Sequence, residues 1–233
     1  MSDPVDSTQA RPATVRVWDL PTRVFHWGLA AAVVAQIVTG KLGGNALSWH
    51  FRIGYCILAL IGFRLLWGFI GGRWSRFSSF LYGPRTLLRY LRGDHRPGDH
   101  FEVGHNPLGS ASIFTMLGLL ALQVATGLVA DDEIATVGPL NRFVTSATAA
   151  SATAWHKDIG QGLLITLVVL HVGAIVYYWI RKGQNLVRPM ITGDKLLPAG
   201  VPGSEDGRLN RIRAAALIAV WAGIVAAIAK LGG

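Results

Sequence analysis

Apolar residues are not spread evenly along this chain but gather into five long runs, at about Val24–Gly40, His50–Gly71, Pro107–Ala130, His156–Ile180 and Arg213–Leu231. Each approaches the roughly 20 residues that an α-helix needs to cross a bilayer. Between them lie polar stretches rich in Gly, Pro, Arg and Asp. The pattern predicts an all-α integral membrane protein with five transmembrane helices, the last of them C-terminal. Residues 1–13 read as a disordered tail, 14–193 as the bundle, 194–212 as a linker with Pro198 and Pro202 in it, and 213–233 as the fifth span.

Composition agrees, since 51% of residues are hydrophobic and only 15% charged, and the mean hydropathy is +0.40. A soluble domain carries more charge. The net charge of +9 raises nucleic acid as a partner, but the distribution of Lys and Arg gives a simpler account. They gather on alternate loops: Arg11, Arg16 and Arg23; then Arg73, Arg76, Arg85, Arg89, Arg92 and Arg96; then Arg181, Lys182, Arg188, Lys195, Arg208, Arg211 and Arg213. The other two loops carry Lys41 and Arg142 beside Asp131, Asp132 and Glu133. By the positive-inside rule the N-terminus is cytoplasmic and five spans put the C-terminus outside, with membrane lipid and not nucleic acid as the surroundings.

The first run could be read as a secretory signal peptide. Against that, Asp19-Leu20-Pro21 reads as a helix start, with Asp as the N-cap and Pro in the first turn.

Four of the seven histidines, His26, His50, His156 and His171, lie inside or at the mouths of the apolar runs. An ionisable side chain there is costly without a partner, and neutral imidazole is a standard axial ligand of haem iron. His156 and His171 are 15 residues apart on one expected helix, which is roughly 22 Å along the axis with only about 60° of rotation between them. One helix therefore offers two ligands on one side, near opposite leaflets. His26 lies 15 residues before Lys41 and so at the depth of His171, while His50 opens the second run level with His156. The expectation is an inner haem site from His26 and His171 and an outer one from His50 and His156.

Arg64, 14 residues after His50, falls at the depth of the inner pair. It reads either as a partner for a haem propionate or as a side chain snorkelling to cytoplasmic headgroups. Gly54, Gly160 and Gly173 near the histidines read as room for a macrocycle or as ordinary small-residue helix packing. His95, His100 and His105 accompany Asp94, Asp99 and Glu102 in a loop and read as solvated or structural groups or as a surface metal site; His105 also reads as a cap of the third span or a quinone contact. With one cysteine, Cys56, and no C-x-x-C-H, the chain can make neither an internal disulfide nor covalent c-type haem attachment. Two histidines per site without carboxylate or thiolate make a poor zinc or copper site.

The segments VWDLPTRVFHW (17–27), WHFRIGYCILALIGFRLLWGFIG (49–71), GHNPLG (104–109), TGL (126–128), WHKDIG (155–160) and LHVGAIVYYWIRKGQNLVRPMITG (170–193) resemble the bacterial cytochrome b561 family. More narrowly they resemble its nickel-iron hydrogenase cytochrome b branch, which includes formate dehydrogenase and thiosulfate reductase membrane subunits. The resemblance implies an integral membrane four-helix bundle holding two b-haems, each with two histidine ligands, in a bacterial inner membrane, which makes the fifth run an additional C-terminal transmembrane helix. It implies electron passage between an extracytoplasmic redox partner, a periplasmic subunit or c-type cytochrome, and membrane quinone. The family's ligands fall on His26, His50, His156 and His171. The fifth run lies outside the family core. Two other classes stay open: a self-contained quinone oxidoreductase taking electrons from a small donor such as superoxide, and a haem-free membrane protein.

Overall fold

The first long helix begins where Asp19 accepts a hydrogen bond from the Thr22 amide, with Pro21 in the first turn. A computed structural model describes residues 12–94, 96, 99–133 and 136–232. In chain order the elements are β1 (Ala13–Arg16), α1 (Leu20–Leu42), α2 (Leu47–Ile70), α3 (Pro84–Leu91), α4 (Pro107–Val129), α5 (Ser146–Ala154), α6 (Gln161–Lys182), α7 (Val187–Thr192), β2 (Asp194–Leu197) and α8 (Arg208–Lys230). A six-residue π-helical turn, Trp155–Gly160, joins α5 to α6 without a break, so residues 146–182 form one long helix. Five helices are long and apolar enough to cross a membrane, and the fold is an all-α membrane bundle with a C-terminal fifth helix.

Each span starts or stops for a local reason. Gly43 and Gly44 both adopt positive φ (62° and 52°), a conformation that glycine reaches without steric cost, and this turns α1 sharply into α2. Asn106 caps α4 by accepting from the Gly109 amide. Thr145 caps α5 by accepting from the Thr148 amide. That cap, followed by the Ala-rich run SATAASATA, extends the fourth span ten residues ahead of the apolar run, because Ala continues a helix at little cost.

The middle of the bundle is a cluster of Val33, Ile57, Ile61, Leu120 and Leu164, from α1, α2, α4 and α6. Facing outward are large apolar groups such as Val34, Leu122, Val169 and Ile180, the surface that hydrocarbon solvates. The fifth helix is part of the packing: Phe25, Phe63 and Trp67 bury against Ala214, with Trp221 packed on the same cluster. Its far end brings Gly232 against Pro139 in the α4–α5 loop.

The opposite end of the bundle carries a built cap. β1 pairs antiparallel with β2, Ala13 facing Leu197 and Arg16 facing Asp194. Val15, Val17, Trp18, Trp74, Val103 and Leu197 form its core. All three basic loops meet here. Asp19 is fully buried and accepts from Thr22 N, Gly72 N and Trp67 Nε1. Asp206 is bonded by Arg16 Nη1 at 2.5 Å and by the Leu20 amide at 3.0 Å, with Arg23 and Arg211 also paired to it.

These contacts revise two expected boundaries. The stretch 194–212 is not a free linker, because 194–197 is β2, α8 begins at Arg208, and Ser204 is buried between Val17 O and the Trp74 amide. Neighbouring Asp206, a carboxylate that several cations and an amide satisfy, is what ties this Pro- and Gly-containing segment down. The expected tail 1–13 ends early, since Ala13 is already in β1; residues 1–11 lie outside the described residues.

Candidate functional site

Three helices bring the four intramembrane histidines together in pairs. His26 of α1 and His171 of α6 have ring centroids 6.4 Å apart. His50 of α2 and His156 of the π turn are 6.0 Å apart. Two metal–nitrogen bonds of about 2 Å each, plus the width of two half-rings, span roughly 6 Å. Both separations fit an iron between two imidazoles, and the juxtapositions are those that depth arithmetic placed together. The apolar cluster around Val33, Ile57, Leu120 and Leu164 lies between them.

At the outer pair, His50 Nδ1 bonds to the Gln36 carbonyl at 3.1 Å and His156 Nδ1 to the Gln123 carbonyl at 2.8 Å. A carbonyl only accepts, so Nδ1 carries the proton and Nε2 keeps its lone pair free for a metal. Gln123 also donates its side-chain Nε2 to the His156 carbonyl at 2.6 Å. The π turn makes this second bond useful, because widening the helix disturbs its regular carbonyl pairing, and such turns gather at functional sites. A cavity of about 520 Å³ opens beside these two imidazoles, with Lys41, Lys157, Gln36 and Gln123 on its wall.

At the inner pair, His26 Nδ1 is buried with no hydrogen-bond partner among the described residues. Arg64 of α2 is only 4% exposed, its guanidinium lies 4.7 Å from the centre of the Phe77 ring, and its Nη1 is buried and unpartnered among the described residues. Such burial is not that of a side chain snorkelling to headgroups. A buried guanidinium with an unpartnered Nη1 suits a carboxylate such as a haem propionate.

Other expectations change. Gly40 and Gly127, not Gly160 and Gly173, are the glycines against the imidazoles: a Cβ on Gly40 would lie 3.1 Å from the His50 ring and one on Gly127 2.8 Å from that of His156. Gly160 instead leaves room for the Gln123 side chain and Trp155, Gly54 faces Gln36, and Gly173 has nothing within 4 Å. His105 does not cap α4, a task taken by Asn106. Its ring sits 4.6 Å from Trp18 and 4.7 Å from Phe80, where burial, then the nearby Arg64 charge, pushes its pKa down to about 3. His100 lies edge-on to Trp74, and His95 lies outside the described residues. No cluster of three or more His, Cys, Asp or Glu residues suited to a metal occurs among the described residues.

Sequence reasoning passed over Gln36 and Gln123. The available signal was an amide side chain within an otherwise apolar run, as in LLALQVATG, which needs a partner for the same reason as an intramembrane histidine.

A family described as prokaryotic cytochrome b561 matches residues 17–193. A probable Ni/Fe-hydrogenase B-type cytochrome subunit of Bradyrhizobium diazoefficiens is 26% identical over 217 residues, covering 78% of this chain and 86% of that one. A subunit of the same description from Rhodobacter capsulatus is 26% identical, covering 79% and 82%. The probable Ni/Fe-hydrogenase 1 B-type cytochrome subunit of Escherichia coli K12 is 24% identical, covering 76% and 88%. No solved structure gives a significant match.

Proposed function

The chain belongs to the prokaryotic cytochrome b561 family, and from that premise we propose that it is a two-haem relay of a bacterial inner membrane, passing electrons between an extracytoplasmic redox partner and quinone. As a member of that family it is a multi-pass membrane cytochrome b working in electron transfer.

The observation that carries it is the pair of imidazole pairs, 6.0 and 6.4 Å between ring centroids, near opposite ends of the bundle. His50 and His156 would hold the outer haem and His26 and His171 the inner one. Lys41 and Lys157 on the outer cavity wall and Arg64 at the inner site are the cations available to propionates. Haem iron, when bound, supplies the one-electron chemistry that these side chains lack. The protein's work is to fix both imidazoles of each pair, exclude water with the central apolar cluster and hold the two sites in line.

The relatives' names point to a hydrogenase as donor. With one cysteine, this chain has too few thiolates for an iron–sulfur cluster of its own, so donor chemistry would reside in a periplasmic subunit or c-type cytochrome. The basic cap would face the cytoplasm by the positive-inside rule, placing the N-terminus inside and the C-terminus outside. Electrons would enter near His50 and His156 and reach quinone near the cytoplasmic end.

The test is haem content and type in the purified chain, from reduced-minus-oxidised and pyridine haemochrome spectra. Two b-haems per chain, falling to one in His171→Ala, is the expected result. A folded protein without haem, or His171→Ala with both haems and normal quinone reduction, overturns the assignment.

A further inference from the structure

The capped end of the bundle carries a helix, α3 (Pro84–Leu91), that is too short to cross a membrane. Its neighbours set its depth. Tyr90 and Tyr178 share a hydrogen bond between their hydroxyls at 2.9 Å, and Tyr178 lies one turn before the end of α6. Asn106, the N-cap of α4, donates to the same Tyr178 hydroxyl at 2.8 Å. Just ahead of α3, the Phe80 ring packs 5.6 Å from that of Phe114, near the start of α4. These contacts hold α3 where one span ends and another begins, which is the level of lipid headgroups.

The two sides of α3 differ. On the inward side the Tyr90 ring packs edge-on to Phe101, and Arg89 pairs with Asp99 at 3.1 Å. On the outward side are Arg85, Leu88, Leu91 and Arg92, spaced three or four residues apart and so on one face. All four are exposed, Leu88 at 53% and Leu91 at 61%, and Leu81 joins them at 70%. Among the described residues neither Arg85 nor Arg92 pairs with a carboxylate, although Asp94 follows closely in the chain.

Exposed leucines beside unpaired arginines suit a bilayer surface, where the leucines enter the acyl layer and the long cationic side chains reach back to the headgroups. The guanidinium fork matches phosphate oxygens, and an anionic headgroup brings no cation of its own to compete. A second copy docked by the same face would set Arg85 and Arg92 against themselves. A water-soluble protein would have to displace lipid to reach it.

We propose that the outward face of α3 binds anionic phospholipid, with Leu81, Leu88 and Leu91 against the acyl chains and Arg85 and Arg92 on the phosphate. This surface is separate from both histidine pairs and does not depend on haem. Lipid held there bears on the bundle through Tyr90 and Tyr178, and so on α6, the helix that carries His171.

The experiment uses the full-length chain with Cys56→Ser and Leu88→Cys, the introduced thiol carrying a bimane fluorophore. It is reconstituted in mixed phosphatidylcholine and phosphatidylglycerol vesicles in which one lipid or the other has brominated acyl chains. Brominated phosphatidylglycerol is expected to quench the fluorophore beyond its share of the lipid. Adding Arg85→Gln and Arg92→Gln should abolish that preference, each charge accounting for up to roughly fivefold in lipid association. Arg208→Gln with Arg213→Gln, which removes two charges at the start of α8 on the α1–α2 side of the bundle, should leave it. Absence of quenching by either lipid would give the face to water, a soluble protein or a second copy. Equal quenching by both lipids would mean lipid contact without recognition of the anion. Survival of the preference without Arg85 and Arg92, or an equal loss without Arg208 and Arg213, would remove the role of α3. Each of these results would overturn the proposal.

Discussion

Gln123 and His156 hold each other twice, the carbonyl of Gln123 accepting from His156 Nδ1 at 2.8 Å and its side-chain Nε2 donating to the His156 carbonyl at 2.6 Å. The first bond sets the tautomer and ring direction of the imidazole. The second ties down the backbone of the π turn that carries it. Together they lock the α5–α6 helix to α4 at the depth of the outer site.

Replacing Gln123 with Leu removes only the second bond, because the carbonyl belongs to the main chain. It leaves the His156 carbonyl unpaired in apolar surroundings, which costs about 1–3 kcal/mol. The expected outcome is a lower melting temperature in detergent and weaker retention of the outer haem, with the inner haem unchanged. Gln123→Met keeps the length but has no donor; it is expected to behave like Gln123→Leu, and full recovery in it would remove the hydrogen bond from the explanation.

Gly127 and Gly40 make a second prediction, on space and not on polarity. A Cβ at Gly127 would sit 2.8 Å from the His156 ring, closer than neighbouring atoms tolerate. Gly127→Val is expected to cost about 1–3 kcal/mol as overpacking and to displace the imidazole, halving haem content. Gly173→Ala, with open space around it, is the control and should retain both haems. Equal haem loss in the two variants would break the argument.

Much of this arrangement is legible in the sequence. Apolar run length fixes five spans, and a 15-residue spacing on a helix puts His156 and His171 on one side at two depths, to which His26 and His50 can be matched. Asp19 and Pro21 announce the start of α1. What could not be read is whatever depends on long-range neighbours. Ser204 and Asp206 sit in a segment whose local composition says linker, and only contacts with Val17, Trp74 and three arginines turn it into a strap. Arg64 in sequence is equally a snorkelling or a buried cation, and its burial follows from the cap that closes over it. Which glycine faces an imidazole depends on helix rotation, which hydrophobic periodicity leaves loose when nearly every position is apolar.

His105 gives the cap a pH dependence. Its folded pKa lies near 3, below the ordinary value of 6.5, so below pH 6.5 the unfolded chain takes up a proton that the folded chain refuses. Stability is therefore full above about pH 7.5 and falls as pH drops from 6.5 toward 3, by no more than about 2 kcal/mol at pH 5. Part of the residue reaches the surface although Nδ1 is buried, which reduces the figure. His105→Phe, between Trp18 and Phe80, should flatten this slope. Thermal melts at pH 5 and pH 8 measure it, and equal pH dependence with and without His105 would refute the assignment.

The fifth helix lies outside the matched family region, yet its packing makes it a support for the inner site. Gly62 of α2 lies directly under the Trp221 indole, so a Cβ there would overlap the ring. Arg64 is two residues further on, and the same contact surface continues through Phe25, next to His26, and through Phe63, Trp67 and Ala214. Gly62→Val must push α8 outward or shift α2, at a cost of about 1–3 kcal/mol. Loosening begins at the surface that backs His26 and Arg64, so heating this variant should release the inner haem before the outer one. Trp221→Ala alone leaves a void and is also destabilising. In the Gly62→Val/Trp221→Ala double variant the smaller side chain makes room for the new methyl groups. The two effects should then fall short of their sum, as expected for residues in contact. Strict additivity, or loss of the outer haem first, would mean that α8 is only an anchor and that the inner site stands without it.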